Sequence, residues 1–182
     1  MINIDKLYEL LRTNTRYNGQ SDLNSIPLNG VYVMYEKGEL NDGKERIVRI
    51  GINEQQDCLR ERIRSHYKGT IRRSVFRKHI GGSLSNKNGS PATEQQISEY
   101  IQENISFTVI EESDKSIREQ LEKMLIATVA NDTQTTPSEN WLGKYCPAPK
   151  ISHGKLWNVN FLREKPLTEE YEKYIFNKIS ED

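Results

Sequence analysis

Two runs decide the reading of this chain: Gly30-Val31-Tyr32-Val33-Met34-Tyr35 and Ile47-Val48-Arg49-Ile50-Gly51. Both are rich in β-branched and aromatic residues, and the segment between them carries Gly38, Asn41, Asp42 and Gly43. Two such runs joined by a Gly/Asn/Asp turn predict a β-hairpin. A hairpin closing symmetrically about Leu40 and Asn41 puts Tyr32 opposite Arg49, and directly opposed residues on one face are near neighbours. Beyond it, the polar loop Asn53 to Gln56 leads to Asp57, whose carboxylate suits a helix cap. On the helix that follows, Leu59, Ile63 and Tyr67 make an apolar edge. Arg62 and His66 stand one turn apart and project together.

The chain has 182 residues, 35% hydrophobic and 29% charged, which fits one domain over residues 1–182. No apolar stretch is long enough to span a bilayer. Met1 to Asp5 shows neither the basic nor the apolar part of a secretion signal. Cys58 and Cys146 stand far apart with no close Cys or His partner, so neither a zinc site nor a disulfide framework is indicated. The expected location is the cytoplasm, with no membrane partner. The formal net charge is zero, which argues against a wholly basic nucleic-acid coat protein. The distribution is uneven, however. Arg60, Arg62, Arg64, Lys68, Arg72, Arg73, Arg77 and Lys78 fall within one block in which Glu61 is the sole acid. Such a block suits contact with a phosphate backbone; the plainer reading is a solvated helix face.

Ile4, Leu7, Tyr8 and Leu11 recur at helical spacing and predict a short N-terminal helix. Asn18-Gly19 reads as a turn. Arg72 to Ile80 reads as a helix ended by Gly81-Gly82, with Ser83 to Ala92 an exposed loop. Thr93 and Gln96 form a capping-box pattern for a helix to about Gln102. Ile105, Phe107 and Val109 alternate with polar residues, as in a half-buried strand. Asp114 to Ala130 is the clearest helix, and Asn131 to Asn140 is loop. Pro147 and Pro149 argue against regular structure nearby. A strand or turn is expected around Trp157. A last amphipathic helix follows Pro166, through Leu167, Tyr171, Tyr174, Ile175 and Ile179. The expected fold is α/β, a small, mainly antiparallel sheet of about three strands flanked by helices.

Two places could carry chemistry on residue type alone. Glu122 projects between Ile126 and Val129 within an apolar arc. A carboxylate there needs a partner or a metal, because an unpaired buried charge is costly. Arg62 and His66 are two potential cations one turn apart, and an anion between them would remove their repulsion. The plainer readings are a Glu paired with an Arg, and a His tucked against Tyr67. His79 and His153 read as structural and loop residues, and Trp157 as core.

The ordered set of fragments resembles the GIY-YIG nuclease family. Gly30-Val31-Tyr32 stands for the first motif. Arg49-Ile50-Gly51 stands for the second, with Arg where Tyr is usual. Arg62-Ile63-Arg64-Ser65-His66 matches the helix with the catalytic Arg. Leu121-Glu122-Lys123-Met124 is similar to the helix bearing the metal-binding Glu. Leu156-Trp157-Asn158 is similar to the late segment with the active-site Asn. The resemblance covers about residues 30–160 and implies a Mg²⁺-dependent DNA endonuclease, with Mn²⁺ as a substitute metal. It gives Tyr32 the role of general base, Arg62 that of transition-state stabiliser and Glu122 that of metal ligand. Arg49 and His66 would position the nucleophile, and Asn158 would orient Tyr32, the metal or a loop. A phenol is a weak base near neutrality, and a cation beside it favours phenolate; Arg49 across the hairpin would be that cation. Arg60, Arg64, Lys68, Arg72, Arg73, Arg77 and Lys78 would contact DNA. Double-strand cleavage would call for a homodimer, through exposed apolar faces around Leu7 and Leu11 or Tyr171 and Ile175. A catalytically silent nucleic-acid-binding member of the fold and a protein-interaction domain are the readings from other classes.

Overall fold

The computed structural model describes residues 4–180; the reading of the first residues as free of a leader falls partly on Met1 to Asn3, outside them. Four strands form one antiparallel sheet: β1 (Tyr17–Asn18), β2 (Gly30–Asn41), β3 (Lys44–Ile52) and β4 (Ile105–Glu111), in the order β1-β4-β2-β3. The two-residue β1 on the edge is the strand that the reading of about three did not foresee. Its second residue, Asn18, belongs to what reads as a turn.

The hairpin forms, but not in the symmetric register. Asn41 pairs with Lys44 across Asp42-Gly43, and both turn residues hold positive φ, 49° and 75°. That left-handed pair is the two-residue turn that Asp-Gly favours. Irregularities on either side of Tyr35 then shift the ladder, so Tyr32 pairs with Gly51 and Arg49 with Met34. The expected Tyr32–Arg49 opposition is therefore corrected. A bulge changes how many residues each strand spends, and a two-fold side-chain period makes every such change visible.

Side chains of β2 alternate between two apolar clusters. Tyr32 and Met34 face one, with Leu59, Ile63, Phe76, Ile97, Trp141 and Trp157; Val31, Val33 and Tyr35 face the other. The first face carries α2 (Leu59–Lys68), α3 (Val75–Asn88), α4 (Glu94–Asn104) and the one-turn α6 (Pro149–Ser152). The second carries α1 (Ile4–Thr13), α5 (Lys115–Asn131) and α7 (Glu169–Ser180). Both faces of the sheet are thus covered, which is why β2 reads as nearly continuous apolar residues rather than as alternation.

Thr93 and Gln96 cap α4 reciprocally, through Gln96 N–H to the Thr93 hydroxyl (3.2 Å) and Thr93 N–H to the Gln96 side chain (2.9 Å). Asp114 caps α5 by accepting from the backbone of Ser116 and Ile117. Other helix ends differ from expectation. α3 does not stop at Gly81-Gly82 but runs on to Asn88, closed by Gly89 at φ 70°. The two glycines serve close packing instead: a Cβ on Gly81 would lie 2.7 Å from Ile97, and one on Gly82 3.0 Å from Pro147. Asp57 does not cap α2. It sits at φ 59°, its carboxylate accepting from the Asn29 amide at 2.6 Å, and Cys58 occupies the cap position. Pro149 opens α6 rather than preventing it, since a missing N–H is harmless in the first turn.

The apolar faces of the end helices are used internally. Leu7, Leu11 and Ile175 are buried in the second cluster, and Tyr171 packs against it. The dimer contacts expected there are not exposed. Among the described residues no helix is long and apolar enough to cross a membrane.

Candidate functional site

A cleft of about 490 Å³ opens beside the β3 end of the sheet, with Arg49, Arg62, Val75, Glu122, Asn158 and Phe161 among the residues that line it. Arg49 comes from β3, Arg62 from α2 and Glu122 from α5, so three distant stretches meet at one place. Glu122 is partly buried, and burial pushes its carboxyl up to about 7 against the opposing pull of Arg49 and Arg62. A carboxyl perturbed by burial in a cleft beside two arginines marks a candidate functional site. Among the described residues no ion pair within 4.0 Å and no hydrogen bond engages it. One carboxylate beside open space fits Mg²⁺, which keeps several waters and takes further oxygens from a substrate phosphate. No group of three or more His, Cys, Asp and Glu residues is arranged to hold a metal among the described residues.

Beneath the cleft lies a hydrogen-bonded chain. The Tyr32 hydroxyl is 2.9 Å from His66 Nε2, and His66 Nδ1 is 2.8 Å from the Ser74 hydroxyl. Ser74 also caps α3 by accepting from the Arg77 N–H. Tyr32 and His66 have no exposed surface. Burial, reinforced by the charges of Arg49, Arg62 and Arg77, holds the His66 imidazole well below its ordinary pKa. The charged form of His66 is thus disfavoured, which lends no support to the expected cationic pair with Arg62 about an anion. Arg62 lines the cleft, while His66 sits under it, both ring nitrogens engaged. Gly51 explains how Tyr32 fits: a Cβ there would lie 2.2 Å from the Tyr32 hydroxyl oxygen. The phenol thus rests on the backbone of β3, between Arg49 and Ile52, which both line the cleft.

Asn158 is a splint. Its side chain accepts from the Ile50 N–H (3.1 Å) and donates to the Ile50 carbonyl (2.9 Å), as a strand neighbour would. Trp157 N–H donates to the Val48 carbonyl at 2.7 Å. Asn158 thus ties its own segment to β3, and it also lines the cleft beside Glu122. Trp157 is fully buried core. Glu36 holds it, accepting from Trp157 Nε1 (2.9 Å), Trp141 Nε1 (3.0 Å) and the Tyr100 hydroxyl. Burial raises the pKa of Glu36. Glu36 was not singled out from the sequence; in β2 it reads only as a polar residue after an apolar run.

The basic block divides. Arg64, Lys68, Arg72, Arg73 and Lys78 are exposed, Arg64 in a 3.3 Å pair with Glu61. Arg60 clips a loop through the carbonyls of Ile26 (2.7 Å) and Asn24 (2.8 Å). Arg77 is 0% exposed and donates to the carbonyls of His66 and Tyr67 and to Glu94, so its place among the DNA contacts is corrected to a buried strut between α2 and α4. Nothing in the spacing separates Arg77 from Arg73; only the fold of α3 onto the sheet does.

The family model of the GIY-YIG domain matches the chain over residues 2–94 and 89–181. No match was found among curated proteins or among solved structures.

Proposed function

The chain belongs to the GIY-YIG nuclease family, and from that premise we propose that it is a Mg²⁺-dependent endonuclease hydrolysing DNA phosphodiester bonds. The carrying observation is Glu122, a partly buried carboxylate raised to about 7 in a cleft shared with Arg62. Glu122 would hold the metal, with Mn²⁺ as a substitute, and the bound metal supplies Lewis-acid stabilisation of charge on the phosphate. Arg62 remains charged throughout and presents a planar fork that suits two phosphate oxygens. Its Nε has no hydrogen-bond partner. It would stabilise the charge that develops in the transition state.

Tyr32 would take the proton of the attacking water. Its hydroxyl already faces His66 Nε2, and a neutral imidazole offers one acceptor nitrogen. His66 therefore orients the phenol by accepting a hydrogen bond from it, while burial and the neighbouring arginines disfavour a second proton on the imidazole. The hydroxyl is covered in this structure, so this role requires the bound substrate to open a path from the cleft. Catalytic hydrogen bonds often reach working geometry only in the substrate complex. The exposed Arg64, Lys68, Arg72, Arg73 and Lys78 would track the DNA backbone.

The test is nicking of supercoiled plasmid with Mg²⁺ or Mn²⁺. Glu122→Ala and Arg62→Ala should each abolish it while the fold is retained. The covered Tyr32 hydroxyl favours one second reading, a silent nucleic-acid-binding member. Plasmid binding without nicking under any metal would select it. An interaction domain built on the end helices has less support, since their apolar faces are buried.

A further inference from the structure

Buried arginines in this protein are mostly spoken for. Arg46 pairs with Glu39 at 2.7 Å and Arg77 with Glu94 at 2.8 Å. Arg118 donates to two backbone carbonyls and to the Gln56 side chain. Arg49 is different. It is 7% exposed, yet among the described residues no carboxylate lies within 4.0 Å, and its side chain donates to the Trp157 carbonyl at 3.0 Å. Its Nε is buried with no acceptor. A guanidinium carries five N–H donors, and a buried cation without a counter-ion is costly.

The side chain is also held in place. The Phe76 ring lies beneath its guanidinium at 5.0 Å, a cation–π contact, and the Trp157 carbonyl fixes one edge. The side chain lines the same cleft as Arg62, whose Nε is likewise buried without a partner. The register takes Arg49 out of the direct opposition to Tyr32 expected of it. Gly51, not Arg49, is the cross-strand partner of Tyr32. A strap for the Trp157 carbonyl would need one donor, not five.

We propose that Arg49 is a second phosphate-binding arginine, a catalytic residue that grips, together with Arg62, one backbone phosphate of the DNA beside Glu122. Two guanidinium groups with idle donors converge on one cleft, and a phosphodiester offers the acceptor oxygens and the negative charge that both lack. The role rests on the nuclease reading for its place in catalysis, but the phosphate contact can be measured without cleavage.

The probe is a deoxynucleoside 3′,5′-bisphosphate, titrated calorimetrically in metal-free buffer into the wild-type protein, Arg49→Gln, Arg49→Lys and Arg62→Gln. Gln retains a donor for the Trp157 carbonyl, and Lys retains the charge. Arg49→Gln and Arg62→Gln should each lose about ten- to a hundredfold in affinity, the range of a charged hydrogen bond. Arg49→Lys should fall between Gln and wild type. With DNA and Mg²⁺, Arg49→Gln should lower the rate by one factor across the pH range. Unchanged bisphosphate affinity in Arg49→Gln overturns the proposal, as does a wild-type protein that does not bind the probe. A shift of the pH–rate profile to higher pH with affinity intact would mean that Arg49 acts on the proton acceptor instead. If Arg49→Gln does not fold, wild-type affinity in Arg49→Lys overturns the proposal and a reduced affinity supports it. If the wild type cuts no DNA but the affinity losses appear, the nuclease reading fails and the phosphate site stands. Cleavage by the wild type with no affinity loss in Arg49→Gln sinks the phosphate site alone.

Discussion

Glu122 and Tyr32 show how much single side chains depend on their surroundings here. The Glu122 carboxyl, raised to about 7 by burial, binds a proton in the folded state at pH values where the unfolded chain has already released it. Stability therefore falls as pH rises from the ordinary carboxyl range through about 7. In metal-free buffer Glu122→Gln should melt a few degrees above wild type at pH 8, corresponding to about 1–3 kcal/mol after allowance for partial exposure. The gap should narrow to a constant by about pH 4, where the carboxyl is protonated in both states. A gap independent of pH from 4 to 8 would show that the carboxyl is not raised. Added Mg²⁺ should raise the wild-type melting temperature and not that of Glu122→Gln, since binding the folded state stabilises it. His66 runs the other way. Its depressed pKa means that the unfolded chain gains a proton first, so its contribution is present above about pH 6.5 and lost as pH falls. Gly51→Ala would set a methyl group where the buried Tyr32 hydroxyl lies, 2.2 Å away. Loss of about 2–4 kcal/mol by denaturant titration is expected, within the upper range for overpacked or displaced core groups, together with loss of nicking. A fully active, stable Gly51→Ala protein would mean that Tyr32 can leave His66 without consequence.

At the scale of elements, the hairpin and α3 do most to shape the site. The irregularities around Tyr35 re-aim β3, so that Arg49 falls across from Met34, over Phe76 and beside the cleft. α3 brings Ser74 to His66 and Val75 to the cleft rim, while the exposed Arg72 and Arg73 stand just before it. Replacing Arg72 and Arg73 by Ala should reduce the slope of log affinity for duplex DNA against log salt by about 2, since each phosphate contact releases nearly one counter-ion. The change should be nearly independent of DNA sequence. An unaltered slope, read by fluorescence anisotropy at several salt concentrations, would place this segment away from DNA. Arg77→Ala should behave differently, losing stability because Glu94 and the carbonyls of His66 and Tyr67 lose their buried partner.

For the whole molecule, one sheet serves as the wall of both apolar clusters, and the cleft forms where α2 and α3 on one side approach α5 on the other. α7 closes the second cluster with Leu167 and the fully buried Ile175, and the Tyr174 hydroxyl and Lys178 both reach Glu112. Ile175→Ala should cost about 2–5 kcal/mol. Because the sheet is shared, it should lower the single unfolding midpoint seen by tryptophan fluorescence, although Trp141 and Trp157 belong to the opposite cluster. A two-step transition, with fluorescence unchanged in the first step, would show that the two faces unfold separately. The end helices are thus committed to the fold. If the enzyme cuts both strands as a dimer, its contacts must lie elsewhere, and light scattering with and without DNA reads that directly.

The amino-acid sequence by itself determined the elements whose signals are local. The Thr93–Gln96 capping box, the helix from Asp114 and the alternation of β4 all act within a few residues, and each is present in the fold; the hairpin is present too, with its turn at Asp42-Gly43 rather than about Leu40 and Asn41. The order of motifs along the chain also names Arg49, Arg62 and Glu122, and the fold brings the three to one cleft. Tertiary structure alone decided what surrounds each of them. Register depends on bulges, which no periodicity announces. Whether Gly81-Gly82 ends a helix or lets one pack closely depends on Ile97 and Pro147 arriving from elsewhere. Arg73 and Arg77 share a residue type and a block of charge, yet one is exposed and the other sealed. Burial is a property of the assembled layers, and burial is what raises Glu122, silences the charge of His66 and leaves Arg49 with donors to spare.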